Sequence, residues 1–290
     1  MIIDCHFHLE EDIIAVDSLV SHMDNYGVDR IALMPGCVEP FPDPPKFLTN
    51  FLQFLLKRKS LRGIGERFCA DFTAQGAIKL PGGACRIYSE PDNGEVFQVV
   101  SSYPNHFWGW VFVNPNSAQD QCEEILNYQD QPGLVGIKAH PFWHRYPPVK
   151  LAPAAELAAS MDKPLLLHLG FGEHGNLDPL IKEVPKAKII LAHAAFPFYK
   201  DYWDKIRKNK NLYVDLSQTS YVNERTIGQA VQSLGAEKCL FGTDGPFGIQ
   251  KKDGSLDYGL IQKRIQRQVT DPSLQKRVLG ENFRELTGVV

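Results

Sequence analysis

The sequence lacks the features that define several protein classes. Its six cysteines are scattered and form no C-x-x-C pair, which excludes a disulfide framework and the common structural zinc motifs. No stretch reaches the roughly 18 apolar residues of a membrane span, and the start has no basic segment followed by a long apolar one. We therefore expect a protein of the reducing cytoplasm with no membrane partner.

The chain also lacks a large excess of either charge. It has 31 Lys and Arg against 34 Asp and Glu, a net charge of -3 and a pI near 6.3. These values argue against a nucleic-acid or anionic-membrane partner. A length of 290 residues lies within the range of one α/β barrel, so we expect a single domain over residues 1–290.

Short apolar runs recur eight times along the chain. Near-continuous hydrophobic runs are typical of parallel strands that are buried on both faces. The runs lie at residues 2–5, 30–36, 107–115, 134–141, 164–170, 188–194, 212–217 and 239–244. Helical patterns separate them at 18–26, 117–127, 151–161, 178–183, 199–207, 224–234 and 257–269.

Strand alternating with helix eight times predicts an α/β fold, the (β/α)8 TIM barrel. A doubly wound open sheet is the competing fold. That fold normally carries a glycine-rich dinucleotide or phosphate loop after an early strand, and this sequence has none.

One connection, after the second predicted strand, is much longer than a βα unit requires. This insertion spans about residues 37–106 and contains a strongly apolar helix pattern at 46–59. An insertion at this end of a barrel strand lies over the barrel mouth, where long loops act as lids or binding walls. A surface elaboration is the alternative, and the broad apolar helix would also suit a contact within a homodimer.

Two histidines stand at the end of the first predicted strand. Residues i and i+2 of a strand point to the same face, so His6 and His8 project into one space, with Asp4 below them. A metal ion would explain the pair, but two ligands do not complete a site.

Further ligand-type side chains end four other predicted strands. Because the carboxyl ends of barrel strands converge on one rim, these side chains are expected to meet His6 and His8 there. Imidazole nitrogen and carboxylate oxygen are ligands of catalytic Zn²⁺. The side chains are Lys138 and His140 of the fourth strand, His168 of the fifth, His193 of the sixth and Asp244 of the eighth.

Six short motifs, in order along the chain, resemble one family. They are DCHFH (4–8), GIKAHP (136–141), LLLHLG (165–170), ILAHAAF (190–196), FGTDGPF (241–247) and LGENFRELTG (279–288). With them the chain resembles the amidohydrolase superfamily, in the amidohydrolase-related branch that includes aminocarboxymuconate-semialdehyde decarboxylase. Nearly the whole chain is covered, apart from the insertion.

This resemblance implies a ligand set and roles. His6, His8, His168 and Asp244 would bind one divalent metal ion, with zinc expected and other divalent metals possible. His193 would lie just outside the ligand shell as a base or orienting group, and Asp244 would also accept a proton. These roles make Asp244 and His193 the expected catalytic residues.

Two residues of the fourth predicted strand are expected to line the substrate pocket. His140 shares the inward parity of Lys138, and the lysine would supply a cation for the substrate. In dinuclear relatives this strand instead supplies a bridging group and the equivalent of His193 becomes a ligand, so a metal-bridging Lys138 stays open. A buried lysine that pairs with Asp4 or Asp215 is the structural alternative.

Two enzyme functions remain open, with the hydrolase preferred. In the first, metal-activated water attacks a lactone, ester or amide of a small, carboxylate-bearing substrate. In the second, the same site decarboxylates an unsaturated or aromatic acid. Decarboxylases of this branch place an arginine shortly after the second strand, whereas this chain has none between Gly36 and Arg58. A non-catalytic binder would hold metal without turnover.

Overall fold

Eight parallel strands form the centre of the computed structural model, which describes residues 1–39, 46–69, 71–73, 77–80, 83–249, 251 and 255–289. Neighbours follow the order β1-β2-β5-β6-β7-β8-β9-β10, and β3 pairs with β4 in a separate antiparallel hairpin. The strands are β1 (Ile3–Leu9), β2 (Arg30–Pro35), β3 (Ala77–Leu80), β4 (Gly83–Arg86), β5 (Phe107–Phe112), β6 (Leu134–Ala139), β7 (Leu165–Leu167), β8 (Ile189–Leu191), β9 (Leu212–Asp215) and β10 (Cys239–Leu240).

Backbone hydrogen bonds close this sheet on itself. The amide of Cys5 donates to the carbonyl of Phe241 (3.0 Å), and the amide of Asp244 donates to the carbonyl of His6 (2.7 Å). They join β1 to the segment that follows β10, so the first and last strands lie side by side. The predicted TIM barrel is confirmed.

Helices follow the barrel strands and cover their outer faces. They are α1 (Val16–Tyr26), α2 (Lys46–Leu56), α3 (Arg62–Cys69), α4 (Asn93–Ser102), α5 (Gln121–Tyr128), α6 (Pro141–His144), α7 (Ala152–Ser160), α8 (Asp178–Glu183), the single turn α9 (Ala192–Ala195), α10 (Lys200–Lys208), α11 (Glu224–Leu234), α12 (Gly259–Gln268), α13 (Pro272–Lys276) and α14 (Asn282–Thr287). None of the helices in the described ranges is both long and apolar enough to cross a bilayer.

Large apolar side chains fill the barrel interior below the rim. Trp108 and Trp110 of β5 pack with Phe283 of α14, and the indole of Trp110 donates to the carbonyl of Cys5 (3.0 Å). These side chains are nearly fully buried. The lower barrel is therefore a packed core, which leaves the carboxyl ends of the strands for chemistry.

The first strand contains an irregularity that the alternation of its residues does not predict. Its register against β2 shifts between Asp4 and Phe7, and both residues contact Tyr258 outside the barrel. Cys5 lies in the interior cluster, yet His6 and His8 also point into the site. The expectation that Asp4 lies below the two histidines is wrong, because the bulge reverses the faces of the strand within two residues.

The predicted insertion contains one ordinary barrel helix. Helix α4 packs against β5 and β2, as the helix of a regular unit does, so the segment additional to the barrel ends before Asn93. The remaining part is α2, α3 and the β3–β4 hairpin. Residues 40–45 of the predicted insertion lie outside the described residues.

Helices α2 and α3 lie against the loops that follow β8 and β9. The ammonium group of Lys57 donates to Thr226 Oγ1 (2.9 Å), and Arg62 forms an ion pair with Asp201 (2.7 Å). Gln53 is buried and donates to the carbonyl of Ser220. The insertion is thus fixed to the rim of the barrel, while its role as a lid stays a prediction.

The outer face of the same two helices is apolar and exposed. Phe47, Phe51 and Phe54 follow a helical stripe on α2, and Phe51 meets Phe68 of α3 edge to face (6.4 Å). Phe47 is 76% exposed. A homodimer contact at this face stays a prediction.

Candidate metal centre

The seven predicted site residues lie together at the carboxyl end of the barrel, and all are buried. They come from five strands or the residues that directly follow them. These residues are His6 and His8 in β1, Lys138 and His140 at β6, His168 after β7, His193 after β8 and Asp244 after β10.

His6, His8 and Asp244 form the tightest group. His6 Nε2 lies 3.0 Å and His8 Nε2 lies 3.3 Å from the same oxygen, Asp244 Oδ1. The candidate ligand atoms of these three residues all lie within 4.8 Å of one another. Two imidazoles and one carboxylate at this separation can hold a divalent metal ion.

The other ring nitrogens of the two histidines are already engaged. His6 Nδ1 lies 2.9 Å from Asp215 Oδ2, and His8 Nδ1 lies 3.2 Å from the carbonyl oxygen of Pro35. Both partners are acceptors, so each Nδ1 carries a proton and donates. In the neutral rings the Nε2 lone pairs then face an acceptor-only carboxylate, an arrangement that a proton or a metal ion between them would stabilise.

The electrostatics at His6 agree with this interpretation. Burial and the nearby Lys138 lower the pKa of His6, but the carboxylates of Asp244 and Asp215 outweigh them and raise it above 6.5. The field at His6 Nε2 therefore favours positive charge, which either a proton or a metal ion can supply. A metal ion would displace that proton.

His168 lies beside this group rather than within it. Its ring centroid is 4.7 Å from that of His193, and its Nε2 is buried without a hydrogen-bond partner among the described residues. Burial, together with His193, lowers the pKa of His168 well below 6.5. A buried bare nitrogen next to a group of ligands is the feature expected of a metal ligand.

Lys138 and His140 both lie at the site. Lys138 is fully buried, its Nζ is 3.4 Å from His6 Nε2, and within the described ranges it forms no ion pair with Asp4 or Asp215. The ring of His140 is 4.2 Å from that of His168, and its Nδ1 accepts the amide hydrogen of Trp143 (3.0 Å). The proton of a neutral His140 is therefore on Nε2.

Three residues that hydrogen-bond to the site were absent from the predicted set. Asp215 accepts from His6, and its other oxygen accepts from the hydroxyl of Ser217 (2.5 Å). Gln218 donates to Asp244 Oδ2 (2.9 Å). Asp215 ends β9 at the rim, like the other residues, so counting strand-end carboxylates would have found it. No comparable signal marks Ser217 or Gln218.

Backbone strain is concentrated at the same rim. His193, Gln218 and Asp244 have φ values of 56°, 64° and 55°, in the left-handed region that favours glycine. They follow three adjacent strands, β8, β9 and β10. Strain in non-glycine residues clusters at functional sites, where the surrounding structure holds side chains in required positions.

Aromatic rings surround the histidines. The ring of His168 lies 5.8 Å from Phe142 and 5.7 Å from Phe196, and that of His193 lies 5.2 Å from Tyr221. Phe196 and Tyr221 stack at 4.2 Å. The site thus combines a polar centre with flat apolar walls.

Solved structures share this fold across almost the full length of both chains. A dihydroxybenzoic acid decarboxylase from Polaromonas sp. JS666, with bound manganese and 2-nitroresorcinol, is 16% identical (TM-score 0.60; 99% of this chain and 96% of that one). A probable 2-pyrone-4,6-dicarboxylic acid hydrolase from Acinetobacter baumannii, with citric acid bound, is also 16% identical (TM-score 0.61; 99% of each chain). Another, 5-carboxyvanillate decarboxylase from Sphingomonas paucimobilis, is 13% identical (TM-score 0.61; 100% and 99%).

These similarities show the fold alone, because the identities are low. A comparison with curated proteins found no match. The family model described as Amidohydrolase matches residues 3–288, which include every side chain of the site. The chain therefore belongs to the amidohydrolase family.

Proposed function

We propose that the protein is a metal-dependent hydrolase that opens a lactone, ester or amide bond in a small, carboxylate-bearing substrate. The observation that carries the proposal is which ring nitrogen of His193 is engaged in a hydrogen bond and which can accept a proton. Its Nδ1 is engaged by Ser217 (2.8 Å), so its Nε2 is free to accept a proton beside Asp244. Hydrolysis begins with removal of a proton from water, and this arrangement provides the acceptor.

The proposed metal ligands are His6, His8, His168 and Asp244, with zinc as the expected ion. The fit rests on the Nε2 atoms of His6 and His8, which both face Asp244 Oδ1, and on the unpartnered, buried Nε2 of His168. A divalent ion bound there would lower the pKa of water and polarise the oxygen of the scissile carbonyl. One ion per chain is expected, with His193 outside the ligand set.

His193 and Asp244 are the proposed catalytic pair. His193 Nε2 lies 4.0 Å from Asp244 Oδ2, a separation that one water molecule can bridge by donating to both. Gln218 donates a hydrogen bond to the same Oδ2 of Asp244 (2.9 Å) and so fixes the orientation of the carboxylate. After attack, the proton held by this pair passes to the leaving oxygen or nitrogen.

Lys138 and His140 are the proposed substrate contacts. Burial lowers the pKa of Lys138 while Asp244 opposes this, and in its charged form the lysine can attract a substrate carboxylate. His140 offers a neutral N–H donor at Nε2. The flat walls formed by Phe142, Phe196 and Tyr221 suit a planar, unsaturated ring.

Decarboxylation of an unsaturated or aromatic acid is the second candidate. The observation in its favour is the same pairing of aromatic walls with a buried lysine, which would suit a planar carboxylic acid. It requires a group that donates a proton to carbon. Burial lowers the pKa of His193 to about 4, so a neutral His193 would have to take up a proton before it could donate one to carbon.

An assay that reports the two reactions separately tests the proposal. Metal-loaded protein is incubated with a panel of lactones and of unsaturated or aromatic carboxylic acids. Ring opening is monitored through the protons that it releases, and decarboxylation is monitored through the CO₂ that it releases. We expect opening of at least one carboxylate-bearing lactone without CO₂. Release of CO₂ from an aromatic acid, with every lactone intact, would instead establish the decarboxylase.

A further inference from the structure

The geometry points to Ser217 as the residue that positions the proposed general base. Its hydroxyl fixes which ring nitrogen of His193 carries the proton. The catalytic role of His193 rests on the proposed function, whereas the hydrogen bonds that set its tautomer do not. This difference allows the two ideas to be tested separately.

Asp215, as a carboxylate, can only accept hydrogen bonds. Its Oδ1 receives the backbone amides of His193 (2.9 Å) and Ser217 (3.0 Å), and its Oδ2 receives His6 Nδ1 (2.9 Å). Each oxygen therefore already faces a donor. Asp215 is fully buried, so an unpaired proton on it would have no acceptor there.

The contacts of Asp215 determine the direction of the hydrogen bond between Ser217 and His193. Ser217 Oγ lies 2.5 Å from Asp215 Oδ1 and 2.8 Å from His193 Nδ1. A hydroxyl has one hydrogen, and the carboxylate must receive it. The oxygen of Ser217 then accepts from His193, which places the imidazole proton on Nδ1 and leaves Nε2 bare in the neutral ring.

One carboxylate thus holds two histidines in two different ways. His6 binds Asp215 directly, which suits a metal ligand because an anionic partner strengthens the opposite nitrogen as a donor to metal. The ring of His193 is hydrogen-bonded to the same carboxylate only through the neutral hydroxyl of Ser217, so it is oriented with less added charge. Ser217 Oγ also lies 3.4 Å from His6 Nδ1, but its contact with His193 Nδ1 is the shorter one.

The direct test reads the tautomer of His193 without any substrate. Metal-free, full-length protein is labelled with ¹⁵N-histidine, and the ring signals of His193 are assigned by comparison with His193→Gln. We expect the proton on Nδ1 in the wild type, with slow exchange because the ring is buried. In Ser217→Ala we expect loss of that protected proton. A wild-type ring protonated on Nε2 would overturn the inference, whatever the variants do.

The kinetic test uses the substrate found for the metal-loaded enzyme. Ser217→Ala is expected to lower kcat by about 10- to 100-fold, while KM and bound metal stay within twofold of wild type. Ser217→Thr, which keeps the hydroxyl, should recover most of the loss. Thr287→Val removes another buried hydroxyl, bonded to the carbonyl of Phe283 in α14 rather than to the site, and should leave kcat unchanged.

The outcomes separate the two proposals. An Nδ1 proton that depends on Ser217, in a protein that opens no lactone, would support the positioning role and count against the hydrolase. Lactone opening with kcat unchanged in a folded Ser217→Ala protein would retain the hydrolase and refute the positioning role.

Discussion

Asp244→Asn is expected to lower kcat by about 10²- to 10⁴-fold, the range associated with loss of a positioned proton acceptor. Asp244 Oδ1 faces His6 and His8, and Asp244 Oδ2 lies 4.0 Å from His193 Nε2. The asparagine amide lacks the negative charge and most of the basicity of the Asp244 carboxylate but has nearly the same shape. The measurement is steady-state turnover on the substrate found by the lactone panel.

The asparagine variant should remain folded for a specific reason. Asp244 has a φ of 55°, a conformation that asparagine tolerates better than most residues. Asp162→Asn is the matched control, because Asp162 has a φ of 56° and an 82% exposed side chain far from the site chemistry. It should retain full activity. Wild-type turnover by Asp244→Asn would show that the proposed role of Asp244 is wrong.

His168→Ala is expected to remove both the bound metal and the activity. Its buried Nε2 has no hydrogen-bond partner in the described part of the chain, so the ring has no structural contact at that atom to lose. If that atom is a metal ligand, removing it leaves three ligands and a cavity. Metal per chain, measured by elemental analysis after dialysis, should fall from about one to well below one.

A surface histidine provides the control for this variant. His22 is half-buried on α1, and His22→Ala should keep both metal and turnover. Full metal content in a folded His168→Ala protein would remove His168 from the ligand set. Two ions per wild-type chain would instead favour the dinuclear arrangement, with Lys138 and His193 as ligands.

The barrel could be predicted because its strands are buried on both faces. Each strand is then a nearly continuous apolar run, which stands out from the amphipathic helices between them. Two predicted helices, Asp178–Glu183 and Glu224–Leu234, have the predicted bounds, and the others differ by a few residues. The convergence of the strand ends then brought the predicted site residues to one rim.

The local geometry of β1 could not be predicted in the same way. Strict alternation places Asp4 with His6 and His8, but the bulge turns Asp4 toward Thr243 and Tyr258. The bulge arises where β1 must pair with β2 on one side and with the segment after β10 on the other. Those partners are distant in sequence, so the strand's own residues do not reveal the irregularity.

The hydrogen bonds behind the site are also invisible in the sequence. Asp215 and His6 are separated by 209 residues, and Ser217 is an ordinary serine after a strand until the fold brings His193 to it. Ligand-type residues can be recognised by their chemistry. The residues that orient them can be recognised only from three-dimensional contacts, because many residue types can supply a hydroxyl or an amide.

Anomalous X-ray diffraction from crystals grown with zinc, recorded on both sides of the metal's absorption edge, would locate the bound ion. We expect one strong peak per chain, about 2.0–2.2 Å from the side chains of His6, His8, His168 and Asp244. No peak at that position, or a peak coordinated by other residues, would contradict the proposed ligand set.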